Sequence, residues 1–232
     1  MGGSAPTRRT PHEIALLRGG PRAAVTVAVV ALQLRGAVEA GAPGTVRAVP
    51  MDAVQEERTL PPLPPAGVPL DSWTQWSAVR GEAAGNEARA LVLERTVYRC
   101  LGEEPLALRE LVRHPDVRWA LAELRVGLAD AGLLRLPLLR PNRAAGREVR
   151  ALRDRHPLPT GRRGLTDHAK LAVALHGTPA LRALVPLFAL RTGLVPRVRI
   201  THGLRHRFRG GTYGGGGYSA SRGGGGCGGG SY

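Results

Sequence analysis

Residues Thr10–Val49 read TPHEIALLRGGPRAAVTVAVVALQLRGAVEAGAPGTVRAV, and this stretch decides the fold. Thr10-Pro11-His12-Glu13 is a capping box with proline at the first helical position, so a helix starts there with its free amides satisfied. Gly19-Gly20 ends it and Pro21 begins the next. In that second helix Val25, Ala28 and Leu32 fall at spacings of three and four and form one buried stripe. Gly36 suits the left-handed residue that closes a helix. Residues 37–40 and 45–49 are short strand candidates joined by the breaker-rich turn Gly41-Ala42-Pro43-Gly44. The outline is a compact helix–turn–helix with a wing.

That outline suggests nucleic-acid binding, but its second helix lacks the side chains for it. A base-reading helix presents Arg, Asn, Gln or Ser to base edges. Residues 23–34 offer only Thr26 and Gln33, while Val27, Val29, Val30 and Leu34 stand where the helix would face a groove. Such a helix buries both sides, so the expected role is packing.

Working outward, residues 1–9 are small, polar and basic and read as a disordered N-terminus. Residues 10–50 make the first winged-helix-like module and residues 51–85 an acidic, proline-rich linker. Within it, Pro61-Pro62-Leu63-Pro64-Pro65 favours an extended polyproline spacer, and Trp73 and Trp76 would anchor its end. Asn86 is an expected N-cap for a second, fuller module that continues, with basic C-terminal helices, to residue 202. Ala90, Leu93, Val97 and Leu101 give a helix over 87–101 an apolar stripe. Pro105 to Arg113 reads as a short helix, and Pro115 starts a third with Val117, Leu121, Leu124 and Leu128 inward, stopped by Gly132. A shift of 96 residues carries Pro21, Val25, Ala28, Leu32, Gly36 and Val38 onto Val117, Leu121, Leu124, Leu128, Gly132 and Leu134, a degenerate internal repeat.

Residues 144–155 read as a helix with Arg147, Arg150 and Arg153 outward. Thr166 caps a helix that ends at Gly177, and Thr178-Pro179 opens another that Pro186 kinks before Gly193. These two helices are expected to cover the second module. Residues 203–232 are a glycine-rich, basic tail expected to be disordered, with 13 glycines in the last 24 residues, a composition that cannot repay the entropy of folding. The expected fold class is therefore mainly α with small β-hairpins: tandem winged-helix-like modules, C-terminal helices and a disordered tail.

The 33 basic residues are all arginine except Lys170, and with abundant Ala, Gly and Pro this points to coding bias rather than to function. The placement of charge says more. Residues 140–232 carry 17 basic and 3 acidic side chains, a net +14 of the whole chain's +15. Such a field favours anionic partners: a lipid surface, an acidic protein or nucleic acid. The residues expected to meet an anionic partner are Arg147, Arg150, Arg153, Arg205, Arg207, Arg209 and Arg222, with Tyr213 and Tyr218 between arginine–glycine units as in flexible RNA-binding segments. In the tail, His202 and His206 are spaced like helical metal ligands but lack a third.

No catalytic motif is present: no G-x-S-x-G, no phosphate-cradling G-x-x-x-x-G-K and no H-E-x-x-H. His12, His114, His156, His168 and His176 form no constellation along the sequence, and Asp167-His168 reads as a helix-start pair. Two cysteines, Cys100 and Cys227, make neither a disulfide framework nor a zinc set and fit a reducing compartment. The expectation is a protein that is not an enzyme, with no cofactor and no metal. Apolar runs fall short of the roughly 18 to 20 residues that cross a bilayer. Arg8-Arg9 before residues 23–34 loosely imitates a twin-arginine export signal, but the gap is long, holds Glu13 and is capped like a helix. A cytoplasmic protein, peripheral at the inner face of the membrane, is expected.

HEIALLRGGPRAAV, then AVVALQLRGAV, AVALHGTPAL and the glycine-rich end with Cys227 together resemble an uncharacterised bacterial family of predicted membrane proteins with Gly/Cys-rich C-termini. The resemblance spans most of residues 10–195 and the tail, and implies membrane association without any activity. The chain departs from that family in its short tail with a single cysteine. The leading expectation is a non-enzymatic interaction or scaffold protein that binds a protein partner or an anionic membrane surface. The alternative is a nucleic-acid-binding protein using the basic C-terminal half and the tail.

Overall fold

The computed structural model describes residues 9–52, 55–56, 59–60, 82–135, 139–158 and 165–195. The proline-rich run, both linker tryptophans, His202, His206 and the whole tail lie outside them. The described residues are mainly helical, with small antiparallel strand pairs. The elements in order are α1 (Pro11–Leu34), β1 (Val38–Ala40), β2 (Thr45–Ala48), α2 (Glu82–Glu103), β3 (Leu106–Ala107), α3 (Leu108–Arg113), α4 (Pro115–Asp130), β4 (Leu134–Arg135), β5 (Arg140–Pro141), α5 (Arg143–Arg155), α6 (Leu165–His176), α7 (Thr178–Leu184) and α8 (Pro186–Arg191).

The capping box at the head of α1 forms: the Glu13 amide donates to Thr10 Oγ1 at 3.3 Å and the Thr10 amide to Glu13 Oε2 at 2.9 Å. Helical geometry breaks at Gly20, with φ 70° and ψ −162°, a conformation only glycine takes without strain. Gly19 is needed beside it, since a Cβ there would come within 2.9 Å of the Ala23 Cβ. α1 is therefore two helical segments.

The second segment, from Ala24 to Leu32, is buried on every side. α1 as a whole packs against α2, α3 and α6. This corrects the expectation that the C-terminal helices cover the second module. α1 is apolar all round and needs cover on more than one face, whereas α4 already leaves Arg118, Trp119 and Val126 to solvent. By length and composition α1 could cross a membrane, but 67% of its most apolar stretch is buried within the protein.

The 96-residue repeat has a structural counterpart. After α1, Gly36 takes φ 77° and the Ala37 amide donates to the Leu32 carbonyl at 2.9 Å; after α4, Gly132 takes φ 67° and the Leu133 amide donates to the Leu128 carbonyl at 2.9 Å. Both are the six-to-one bond of a Schellman closure. Each closure leads into a short antiparallel pair, β1–β2 and β4–β5. The sequence gives no sign of β3, which pairs with β2 through Thr45↔Ala107 and Val46↔Leu106 and makes a three-stranded sheet. Residues of both halves share one apolar core, from Ile14 through Leu93, Leu111 and Leu124 to Leu175 and Leu181.

Other expectations shift slightly. α2 starts at Glu82, so Asn86 is not an N-cap; it sits buried inside the helix, its Oδ1 accepting from Arg89 Nη1 at 3.2 Å. Asn142 is the cap instead: its Oδ1 accepts from the Ala145 amide at 3.0 Å and its Nδ2 donates to the Gly132 carbonyl at 2.6 Å. Pro186 does divide the last helical run, at Val185, into α7 and α8.

Gly20→Ala is expected to lower stability by about 1–3 kcal/mol through forced left-handed backbone, although nothing lies within 4 Å of its Cβ position. Chemical denaturation checks this, and an unchanged midpoint would contradict it.

Candidate functional site

The described residues place a cluster of ionisable side chains at the head of α1. Glu94 is 0% exposed in the middle of α2 and His12 is 2% exposed in the first turn of α1. Arg35, the residue that ends α1, directs Nη1 onto Glu94 Oε2. On the other carboxylate oxygen, Glu94 Oε1, His12 Nε2 approaches to 3.2 Å. That is a charge contact off the line a hydrogen bond needs. Both ring nitrogens of His12, and Glu94 Oε1, accordingly have no hydrogen-bond partner among the described residues.

A cavity of about 310 Å³ opens beside this group, lined by Arg9, Thr10, His12, Glu87, Glu94 and Lys170 among others. The chain's single lysine thus lines the same cavity as Glu94, the most deeply buried carboxylate among the described residues. Burial pushes the Glu94 carboxyl up, but the His12 ring, then Arg35 and Lys170, together outweigh it and hold the group below its ordinary value of 4.5. Glu13, one position after His12, goes the other way: burial raises it, and its Thr10 bonds and Arg9 only partly offset that. Arg9 reaches from here to α5, its Nε 3.6 Å from Glu148 Oε1. Chemically, the cavity combines an acceptor (Glu94 Oε1), two cations (Arg9 and Lys170) and an imidazole. It can orient a small polar molecule by donating to one end and accepting from the other.

Sequence reading assigned none of this. His12 was read within a helix cap, and Glu94 lies 82 residues away from it. Two signals were present: a glutamate inside the 90/93/97/101 stripe, and one lysine among 33 basic residues. In space three of the histidines that form no constellation along the chain make separate side-chain contacts. His12 meets Glu94, His114 meets Cys100, and His176 Nε2 lies 2.8 Å from the His156 carbonyl oxygen.

Of the arginines expected to meet an anionic partner, Arg147 and Arg150 stand exposed on α5. Arg153 is exposed too, and its Nε and Nη2 also donate to the Leu175 carbonyl at 3.2 and 2.8 Å and so cap the end of α6. It also faces Arg18, whose guanidinium is lowered by burial and then by Arg153. Arg205, Arg207, Arg209, Arg222, Tyr213 and Tyr218 lie outside the described residues. His168 is exposed.

Glu94→Gln is expected to destabilise the protein by about 1–3 kcal/mol, since Arg35 loses its charged acceptor. The sign with pH follows from the lowered folded value. The Glu94 contribution is full above pH 4.5, the ordinary value, and is lost as pH falls through the folded one. The stability gap between the variant and the parent therefore closes below that pH, while Glu13, raised on folding, stabilises on acidification. Denaturant melts from pH 7 to 3 check this, and a gap independent of pH would contradict it. Compared with protein-family models, curated proteins and solved structures, the chain matches none.

Proposed function

We propose that the chain is a non-enzymatic interaction protein, a scaffold that binds a protein partner and lies peripherally on the cytoplasmic face of a membrane. The outer face of α4 carries this reading. Trp119 and Val126, two helical turns apart on one side, are 46% and 47% exposed. The opposite side, Val117, Leu121, Leu124 and Leu128, is held in the core. A half-exposed tryptophan on a rigid helix is a typical anchor for a protein interface.

We read α2 to β5 as a winged-helix-like module and α1 with β1 and β2 as a shorter copy. In that arrangement α4 takes the place of the reading helix. Its outward positions hold Asp116, Arg118, Trp119, Val126 and Asp130, with two acidic side chains against one basic. Carboxylates repel phosphate and apolar groups read no base edge apart from the thymine methyl, so a protein partner fits this face better than DNA. The buried second segment of α1 leaves no reading surface in the first copy either.

Attraction to a membrane rests on α5, where Arg143, Arg147, Arg150 and Arg155 are exposed, on the charge of residues 140–232, and on the resemblance of residues 12–25 to a family of membrane proteins. The same arginines support the second reading, nucleic-acid binding by the basic half and tail.

The full chain is expected to sediment with phosphatidylglycerol vesicles in a salt-sensitive way. Each of Arg147→Ala and Arg150→Ala should weaken this about fivefold, near 1 kcal/mol per arginine at a charged surface. Trp119→Asp with Val126→Asp should remove co-purifying protein while leaving the melting temperature in place. Tight binding of RNA or DNA, with neither vesicle binding nor a protein partner, would overturn the proposal in favour of the second reading.

A further inference from the structure

The geometry points to a site for a zinc-type divalent cation formed by Cys100, His114 and Asp116. Cys100 lies in the last turns of α2 and is buried. His114 is the single residue between α3 and α4, with non-helical backbone (φ −56°, ψ 132°). Asp116 follows in the first turn of α4. Cys100 Sγ is 3.2 Å from His114 Nδ1, Asp116 Oδ2 is 4.0 Å from the same nitrogen, and the three donor atoms lie within 4.8 Å of one another.

A thiol–imidazole hydrogen bond accounts for only part of this. The ring nitrogen Nδ1 has one in-plane lone pair or one hydrogen, so it cannot serve both the sulfur and the carboxylate. In a catalytic relay the acid would sit at the far nitrogen, Nε2, and hold the ring from behind. Here both the sulfur and the carboxylate oxygen lie nearest the same ring nitrogen, and all three donors are within 4.8 Å of one another, close enough to share one ion. With metal–sulfur and metal–nitrogen distances of about 2.3 and 2.0–2.1 Å, a tetrahedral sulfur–nitrogen edge is about 3.5 Å, within a few tenths of the separation present. Asp116, whose side chain is 72% exposed, is free to close the remaining gap.

The donor set selects the ion. Thiolate and imidazole suit zinc and its neighbours, whereas calcium and magnesium require oxygen ligands. On binding, the Cys100 thiol gives its proton to solvent and becomes a thiolate. His114 ligates through the Nδ1 lone pair, its remaining proton on Nε2, and Asp116 ligates as the carboxylate. Three protein ligands leave a fourth position for solvent or a further donor.

Cobalt titration of the reduced, metal-free full chain tests this directly. The expected result is a near-ultraviolet sulfur-to-cobalt charge-transfer band and visible bands of tetrahedral intensity, saturating at about one ion per chain and displaced by zinc. Cys100→Ser should abolish the charge-transfer band. Asp116→Asn, a change on the surface that does not threaten folding, should weaken zinc binding by at least about tenfold, a loss that even residues behind the ligands can cause. Cys227→Ser should leave the spectrum unchanged. No charge-transfer band in the folded chain, a band that survives Cys100→Ser, a band lost with Cys227→Ser, or zinc affinity indifferent to Asp116→Asn would each overturn the assignment.

Discussion

The carboxylate of Glu94 is the constraint on which the rest of the structure depends. A fully buried charge costs several kcal/mol in lost hydration, and it is retained here because two cationic or polar partners reach it from opposite ends of the same helix. His12 stands in the first turn of α1 and Arg35 immediately after its last. In an unbroken helix the 23 steps from His12 to Arg35 would span about 35 Å at 1.5 Å per residue, too far for both to touch one carboxylate. The break at Gly20 is what makes the double contact possible. One charge on α2 thereby fixes how the two segments of α1 fold back on each other.

That arrangement dictates where function can lie. Folded back and apolar all round, the second segment of α1 becomes the centre of the core, with α2, α3 and α6 against α1 as a whole. Its strand pair is completed by β3 from the other half of the chain, so the two repeated stretches share a sheet as well as a core. The surfaces that stay outside include α4, with Trp119 and Val126, and the arginine face of α5. The polar cavity at the head of α1 is a by-product of the same packing: bringing Arg9, His12, Glu94 and Lys170 together leaves hydrogen-bonding atoms without partners.

Features with local causes were legible in the sequence. The Thr10 capping box, the break at Gly19-Gly20, the closures at Gly36 and Gly132, and the division at Pro186 each depend on a few adjacent residues, and periodicity located the stripes of α2 and α4. What was not legible depends on distant pairing. β3 is two residues long and exists only because β2 offers it an edge. α2 already begins at Glu82, four residues before Asn86, where Glu82, Ala83 and Ala84 favour helix. The preference of α6 for α1 follows from how much apolar surface each helix leaves uncovered, a property of the assembled fold. Glu94 with His12 and Arg35, and Cys100 with His114 and Asp116, are joined across loops whose closure carries no sequence signature. Arg153 is exposed, and periodicity cannot show that its guanidinium also donates to a neighbouring carbonyl.

The most direct measurement is a double-mutant cycle between His12 and Arg35. The two residues do not touch and are 23 positions apart in what would otherwise be one helix, so only their common partner can couple them. With Glu94 in place, His12→Ala and Arg35→Ala should be non-additive by more than about 0.5 kcal/mol, and the coupling should vanish in a Glu94→Gln background. Additive effects with Glu94 present would contradict the account, because they would mean that the buried carboxylate does not tie the two ends of α1 together.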